Sequence, residues 1–330
     1  MTAQGARRYS DRLGTIANAQ LQQACDTFDL GLLESAEPAS AGLWGQNILL
    51  STTAGEFVLR GHPQPPHQFA KERAVAAAIN ARSSLPVPWP YHLSNDTELF
   101  GWPYAILPHL TGTMGSTLWD MADDTAKVEL AAAHGAALAE LHQARFDGPG
   151  PYDPQQGAFV RIADYRAWTL DRIELLRTRC HDIDALTPDD QRYIDRTIES
   201  CADALTEPLT AMLVHHDFSL ANTNYELIDR HYRATGVFDL GEAHLGDGEE
   251  DLVRFLFRRR RDQRVAFIKA YTAQHPFRAG AGDRVTLYAL ADLLFMWEVS
   301  QRTTHWFADA SFVGTAQPTL DRARNAVDSG

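Results

Sequence analysis

The chain has 330 residues, 45% of them hydrophobic and 22% charged, and a formal net charge of −13. That length allows two domains with cores of their own, and the acidic balance argues against a nucleic-acid partner, because phosphate backbones select basic surfaces. No stretch approaches the roughly 18 consecutive apolar residues of a membrane span, and three scattered cysteines, Cys25, Cys180 and Cys201, form no disulfide framework or zinc knuckle and suit a reducing cytoplasm.

In chain order, the N-terminal residues carry arginines but no apolar run after them, so no signal peptide is expected. Residues 11–28 read as a helical lead-in. A glycine-bearing stretch with Gly42 and Gly45 precedes a strand over 48–53, a turn at Ala54-Gly55 and a second strand over 56–60. Residues 71–80 are alanine-rich and helical. Pro86 to Pro90 is an extended connector, and residues 99–107 read as two strands around a Gly-Trp-Pro turn. Leu130, Ala133, Leu138 and Leu141 lie at helical spacing over 128–142. Two further helices are expected over 161–180 and 189–206, with Thr187-Pro188 as the start signal of the second. Residues 287–297 are apolar on more than one side, which predicts a buried helix.

Residues 215–222 read His-His-Asp-Phe-Ser-Leu-Ala-Asn, and Asp239 follows in Gly-Val-Phe-Asp-Leu-Gly. Between them, 223–228 and 233–240 read as strands joined by a turn at Asp229-Arg230. Phosphoryl transfer needs a carboxylate to orient the attacking hydroxyl, and an amide and a second carboxylate to hold magnesium on the phosphates. Asp217 at the start of the loop fits the first role, while Asn222 and Asp239 offer magnesium the hard oxygen donors it prefers.

This pattern resembles the aminoglycoside phosphotransferase and choline kinase family, the small-molecule branch of the protein-kinase-like fold. The resemblance rests on His215, Asp217 and Asn222, and on Asp239, Ala243, Gly246, Asp247, Asp251 and Leu252 in the stretch from Val237 to Leu252. It implies an α+β, bilobal fold: an antiparallel-sheet N-lobe over 1–110, a hinge at about 106–113, and a mainly helical C-lobe over 111–330. Gly42 and Gly45 would let backbone approach the nucleotide phosphates. Arg60 stands where the family carries a phosphate-gripping lysine, a departure because arginine is bulkier and forked. Glu72 would pair with it. Backbone around Leu107 and Leu110 would meet the nucleobase, although Pro108 removes one donor.

The implied reaction is transfer of the γ-phosphate of ATP or GTP, with magnesium, to a hydroxyl of a small polar acceptor. A cationic acceptor such as an aminoglycoside suits the acidic chain, though acidity serves solubility equally. His215 reads as a scaffold of the catalytic loop. His142 reads as a core histidine satisfying a backbone group, and Asp247 and Asp251 as helix-capping carboxylates. His216 stands where the family usually has glycine. Arg161, Asp164, Tyr165 and Trp168 are candidate lining residues of the acceptor pocket, and Asp292 and Glu298 read as ordinary ion-pair partners. Alternatives are a kinase of a choline-like alcohol, amino acid or sugar, and a nucleotide-binding pseudokinase, for which Arg60 is the only support. A protein kinase is disfavoured, because no long activation segment follows Asp239.

Overall fold

The computed structural model describes residues 6–39, 46–303, 307 and 311–329. Clustering of contacts divides the chain into two compact units. The first comprises residues up to Gly112 together with Tyr152–Ala158 and Thr235–Gly241; the second holds the remainder.

The first unit begins with a hairpin, β1 (Arg7–Ser10) and β2 (Gly14–Ile16), followed by α1 (Asn18–Asp26). The helix expected over 11–28 is therefore confined to its second half. Gly14, at φ +71, makes the tight turn that the helical reading passed over. Five strands form one antiparallel sheet in the order β3-β4-β5-β7-β6: β3 (Leu33–Pro38), β4 (Asn47–Thr52), β5 (Gly55–Gly61), β6 (His92–Ser94) and β7 (Tyr104–Pro108). β4 alternates buried and half-buried positions, so Ile48 and Leu50 face inward and join Leu21, Leu59, Tyr104 and Ile106 in one core. The strand partnering β7 is His92–Ser94, not the residues next to the Gly-Trp-Pro turn; Gln20 fixes the intervening loop by donating to the Leu99 carbonyl at 2.7 Å. Helix α2 (Gln68–Arg82) buries Phe69, Val75, Ala76 and Ile79, and Glu72 shares that buried face.

The second unit is mainly helical. A short strand β8 (Thr113–Met114) leads into α3 (Gly115–Met121) and α4 (Asp124–Leu141), which Asp123 caps by accepting from the Ala126 amide at 2.8 Å. After β9 (Arg145–Phe146) the chain passes through the Tyr152–Ala158 segment of the first unit, where β10 (Tyr152–Asp153) pairs with β11 (Ala158–Phe159), and then come α5 (Tyr165–His181) and α6 (Pro188–Cys201). Thr187 and Asp190 form a capping box at the start of α6, as the Thr-Pro signal predicts. Strands β12 (Ala211–Val214), β13 (Thr223–Ile228), β14 (His231–Val237) and β15 (His244–Gly246) follow. β12 is the central strand of β9-β12-β15, and β13 that of β8-β13-β14. Asp229 and Arg230 both have positive φ, 52 and 68, the geometry of a two-residue hairpin turn.

Helices α7 (Val253–Leu256), α8 (Arg261–Thr272), α9 (Ala281–Thr303) and α10 (Phe312–Asp328) complete the unit. α9 is buried nearly all round, from Val285 to Trp297, and α5, α6, α7 and α10 pack against it. Among the described residues no helix is long and apolar enough to cross a membrane.

Candidate active site

In the first unit, β5 presents Arg60 and α2 presents Glu72. Arg60 Nη1 donates to Glu72 Oε2, with the two side chains 12% and 1% exposed. Tyr91 Oη donates to the same carboxylate oxygen at 3.0 Å, and Gln68 Nε2 to the other at 2.9 Å. A buried carboxylate is stable only when its lone pairs are satisfied in this way. Burial alone would lower the Arg60 pKa. Glu72, Tyr91 and Asp239 outweigh it and carry the guanidinium above its ordinary range, so Arg60 is a fixed cation.

The segment with Asp239 belongs to this same unit. The Val237 amide donates to the Pro86 carbonyl at 3.0 Å, and Thr235 Oγ1 to the Thr111 carbonyl at 2.8 Å. A Cβ at Gly236 would lie 2.5 Å from Leu110 Cδ1, so a side chain there would displace Leu110. Asp239 falls two residues beyond β14 rather than within it, with φ 63. A non-glycine residue in the left-handed region costs about 1–3 kcal/mol and persists only where the surroundings impose it. At the hinge, Leu107 lies in β7 opposite Val58. The His109 amide is committed to the Glu56 carbonyl at 3.0 Å and Pro108 has no amide hydrogen to donate. Gly42 and Gly45 lie outside the described residues.

In the second unit, the loop after β12 carries His215, Asp217 and Asn222. Asn222 Nδ2 donates to both the carbonyl oxygen and Oδ2 of Asp217, each at 3.0 Å. That orientation turns the Asn222 amide oxygen away from Asp217, as a metal ligand requires. His215 is fully buried, and its Nδ1 accepts the Asp217 amide at 3.3 Å. Asp251 holds the loop from beneath: its two oxygens accept the amides of His215 and His216 at 2.7 Å each. His142 Nε2 donates to Asp251 at 3.1 Å, and its Nδ1 is bonded to Tyr271 Oη at 3.0 Å. Two sequence expectations are thus corrected. Asp251 fastens loop amides rather than capping a helix, and His142 satisfies a carboxylate and a phenol rather than backbone. Asp247 does cap, accepting from the Glu249 amide at 3.1 Å.

His216 has φ 70, which explains why a glycine suits this position. Its Nε2 accepts from Arg172 at 2.9 Å, and burial pushes its pKa down to about 3, so the ring is neutral. Asp164 caps α5, accepting from the Ala167 amide at 2.8 Å. Tyr165 is half-buried and its hydroxyl accepts the Asp247 amide at 3.1 Å. Trp168 stacks on Tyr165 and lies under Arg172, while Arg161 packs on Gly148. A cavity of about 470 Å³ is lined by Asp164, Tyr165, Asp247 and Arg278, and Asp217 is not on its wall. Asp292 and Glu298 do form ion pairs, with Arg254 at 2.8 Å and Arg302 at 3.1 Å. Among the described residues, no group of three or more His, Cys, Asp or Glu is arranged to hold a metal. Tyr91 and Arg254 carry no local signal in the sequence that marks them as partners of this machinery.

Comparison with known proteins decides the family. Residues 35–284, more than half of the chain, match the family model described as APH, phosphotransferase enzyme family. The chain belongs to that family. No curated protein matches it. Among solved structures, it is similar to a thermostable mutant of aminoglycoside phosphotransferase APH(4)-Ia in ternary complex with ADP and hygromycin B. The TM-score is 0.63 and the identity 19%, over 94% of this chain and 99% of that one. It is also similar to aminoglycoside 2'-phosphotransferase-IIIa in its GDP complex, with TM-score 0.64 and identity 18%, over 96% and 99% of the two chains. A GDP and kanamycin complex of APH(2")-IIia gives TM-score 0.64 and identity 18%, over 93% and 98%. At these identities the likeness establishes the α+β, protein-kinase-like fold. Family membership makes this phosphotransferase an enzyme.

Proposed function

We propose that this phosphotransferase moves the γ-phosphate of ATP or GTP to a hydroxyl of a small, cationic polar molecule, with an aminoglycoside as the favoured acceptor. The observation that carries the reading is the Asp217–Asn222 pair, locked by two hydrogen bonds and seated on the Asp251 clamp. A carboxylate so fixed can orient the acceptor hydroxyl and take up its proton as the bond to phosphorus forms. Arg60, oriented by Glu72 and Tyr91, steadies the donor phosphates. Asn222, through its amide oxygen, and Asp239 are the residues that would hold magnesium; when bound, the ion neutralises charge developing on the phosphates. Leu107 and Leu110 are the hinge positions at which backbone would meet the base. Positioning and electrostatics supply the rate, so the rigidity of these groups is the functional property.

The acceptor class is supported by the hygromycin B and kanamycin complexes among the similar structures and by the acidic balance of the chain. The three cysteines are free and buried, which supports a reducing, cytoplasmic setting.

The test is phosphoryl transfer from ATP and from GTP to an aminoglycoside panel, measured for the wild type and for Asp217→Ala and Asp239→Ala. Transfer should fall by about a hundredfold to ten-thousandfold in each variant. Normal turnover of Asp217→Ala would overturn the assignment of the base, and transfer only to uncharged alcohols would overturn the acceptor class.

A further inference from the structure

The side chain of Arg254, from the one-turn helix α7, lies between two carboxylates of the second unit. Its Nε is 3.6 Å from Asp217 Oδ1 and its Nη2 is 2.8 Å from Asp292 Oδ1. Asn222 donates to Asp217 Oδ2, so the arginine addresses the other oxygen. Arg254 Nε is buried with no hydrogen-bond partner among the described residues. A buried guanidinium nitrogen without a partner is rarely tolerated unless something completes it. Catalytic hydrogen bonds are often long without substrate and shorten when the reacting complex forms. At 3.6 Å, the Nε to Asp217 contact is of that kind.

Asp292, on the buried helix α9, explains why Arg254 stays in place. It is 7% exposed, and neither of its oxygens has a well-formed hydrogen bond, so the cation is its compensating group. The carboxylate thus restrains the far end of the guanidinium while the near end faces Asp217. Asn222 on one oxygen and Arg254 on the other leave Asp217 little rotational freedom about its side-chain torsions.

We propose that Arg254 is a positioning residue for Asp217, anchored at its other end by Asp292, and that it holds the Asp217 carboxylate toward the acceptor hydroxyl. This rests on the phosphotransfer reading above. The charged neighbours are few. Besides Arg254 and Asp217, Glu250 from the turn before α7 and Arg172 from α5 act on Asp292, and Arg254 acts on the neutral His216.

Arg254→Met alone strands Asp292, so the informative variant is Arg254→Met/Asp292→Asn, which removes both charges together. Its kcat should fall about tenfold to a hundredfold while KM for the nucleotide changes less than about twofold, because misplacement of a reacting group costs turnover rather than donor binding. Arg254→Lys, which keeps the charge, should restore part of kcat. A paired variant with wild-type kcat overturns the proposal. A folded wild type that transfers phosphate neither to an aminoglycoside nor to water overturns the functional reading itself, which is a separate result.

Discussion

The carboxylate of Asp251 accepts the backbone amide of His215 at 2.7 Å, and its second oxygen takes the next amide in the chain at the same distance. One buried side chain therefore fixes the backbone immediately before Asp217. Replacement by asparagine turns an acceptor into a donor facing an amide. Asp251→Asn should cost about 1–3 kcal/mol for each amide left unsatisfied, read by urea unfolding, with a parallel loss of turnover. A change within about 0.5 kcal/mol, the range of a neutral surface substitution, would mean that the clamp is dispensable.

Glu72 and Arg60 form a buried pair, so the two single deletions and the double are informative together. Glu72→Ala leaves a buried guanidinium unpaired and should cost about 3–5 kcal/mol. Arg60→Met/Glu72→Met should be less destabilising than Glu72→Ala, yet should bind nucleotide more weakly, because the phosphate cation is gone. Thermal midpoints with and without nucleotide separate the two effects; equal nucleotide stabilisation of wild type and double variant would remove Arg60 from the donor site.

Gly135, in the middle of α4, illustrates a sign decided by packing. In an open helix, alanine would be favoured over glycine by about 1 kcal/mol. Here a Cβ would sit 2.2 Å from the Phe267 carbonyl oxygen in α8, a backbone atom that cannot swing away. Gly135→Ala should therefore be net destabilising by about 1–3 kcal/mol, measured by denaturant unfolding. A stabilised variant would show that α4 and α8 can separate at little cost.

Two histidines, His134 buried and His216 half-buried, make the fold sensitive to acid. Burial lowers His134 and His216 to about 3 each from an ordinary 6.5. Their folded-state values are depressed, so both bind a proton on unfolding below pH 6.5, and stability present above that value is lost as the pH falls toward 3. Asp292 acts in the opposite sense. Burial, with Asp217 adding to it, raises Asp292 to about 6, so its contribution is present below its unfolded value and is lost as the pH rises through 6. His216→Asn removes one titrating ring and tolerates the left-handed backbone. The slope of stability against pH between 4 and 6 should fall by about 1.4 kcal/mol per pH unit in that variant. An unchanged slope in urea titrations across that range would show that His216 is protonated in the folded state.

The sequence by itself determined what depends on neighbours along the chain. The Asp-Arg turn set the β13–β14 hairpin, Thr187-Pro188 began α6, the all-round apolar stretch became α9, and the spacing of Asp217, Asn222 and Asp239 pointed to phosphoryl transfer. Side-chain type and short-range geometry suffice for these, because a turn or a cap is a local bargain between backbone and side chain. Even the Arg60–Glu72 pair was legible, since a strand and the next helix place both on facing buried surfaces. Only the tertiary structure decided that Asp251 holds the loop amides, that Tyr91 completes the Glu72 carboxylate, that Arg254 lies beside Asp217, and that residues 7–16 pair as a hairpin. A carboxylate can cap its own helix or reach another segment, and local pattern is the same for both. Which it does depends on the rotational phase of one packed element against another, and that phase is set by contacts between residues far apart in the chain.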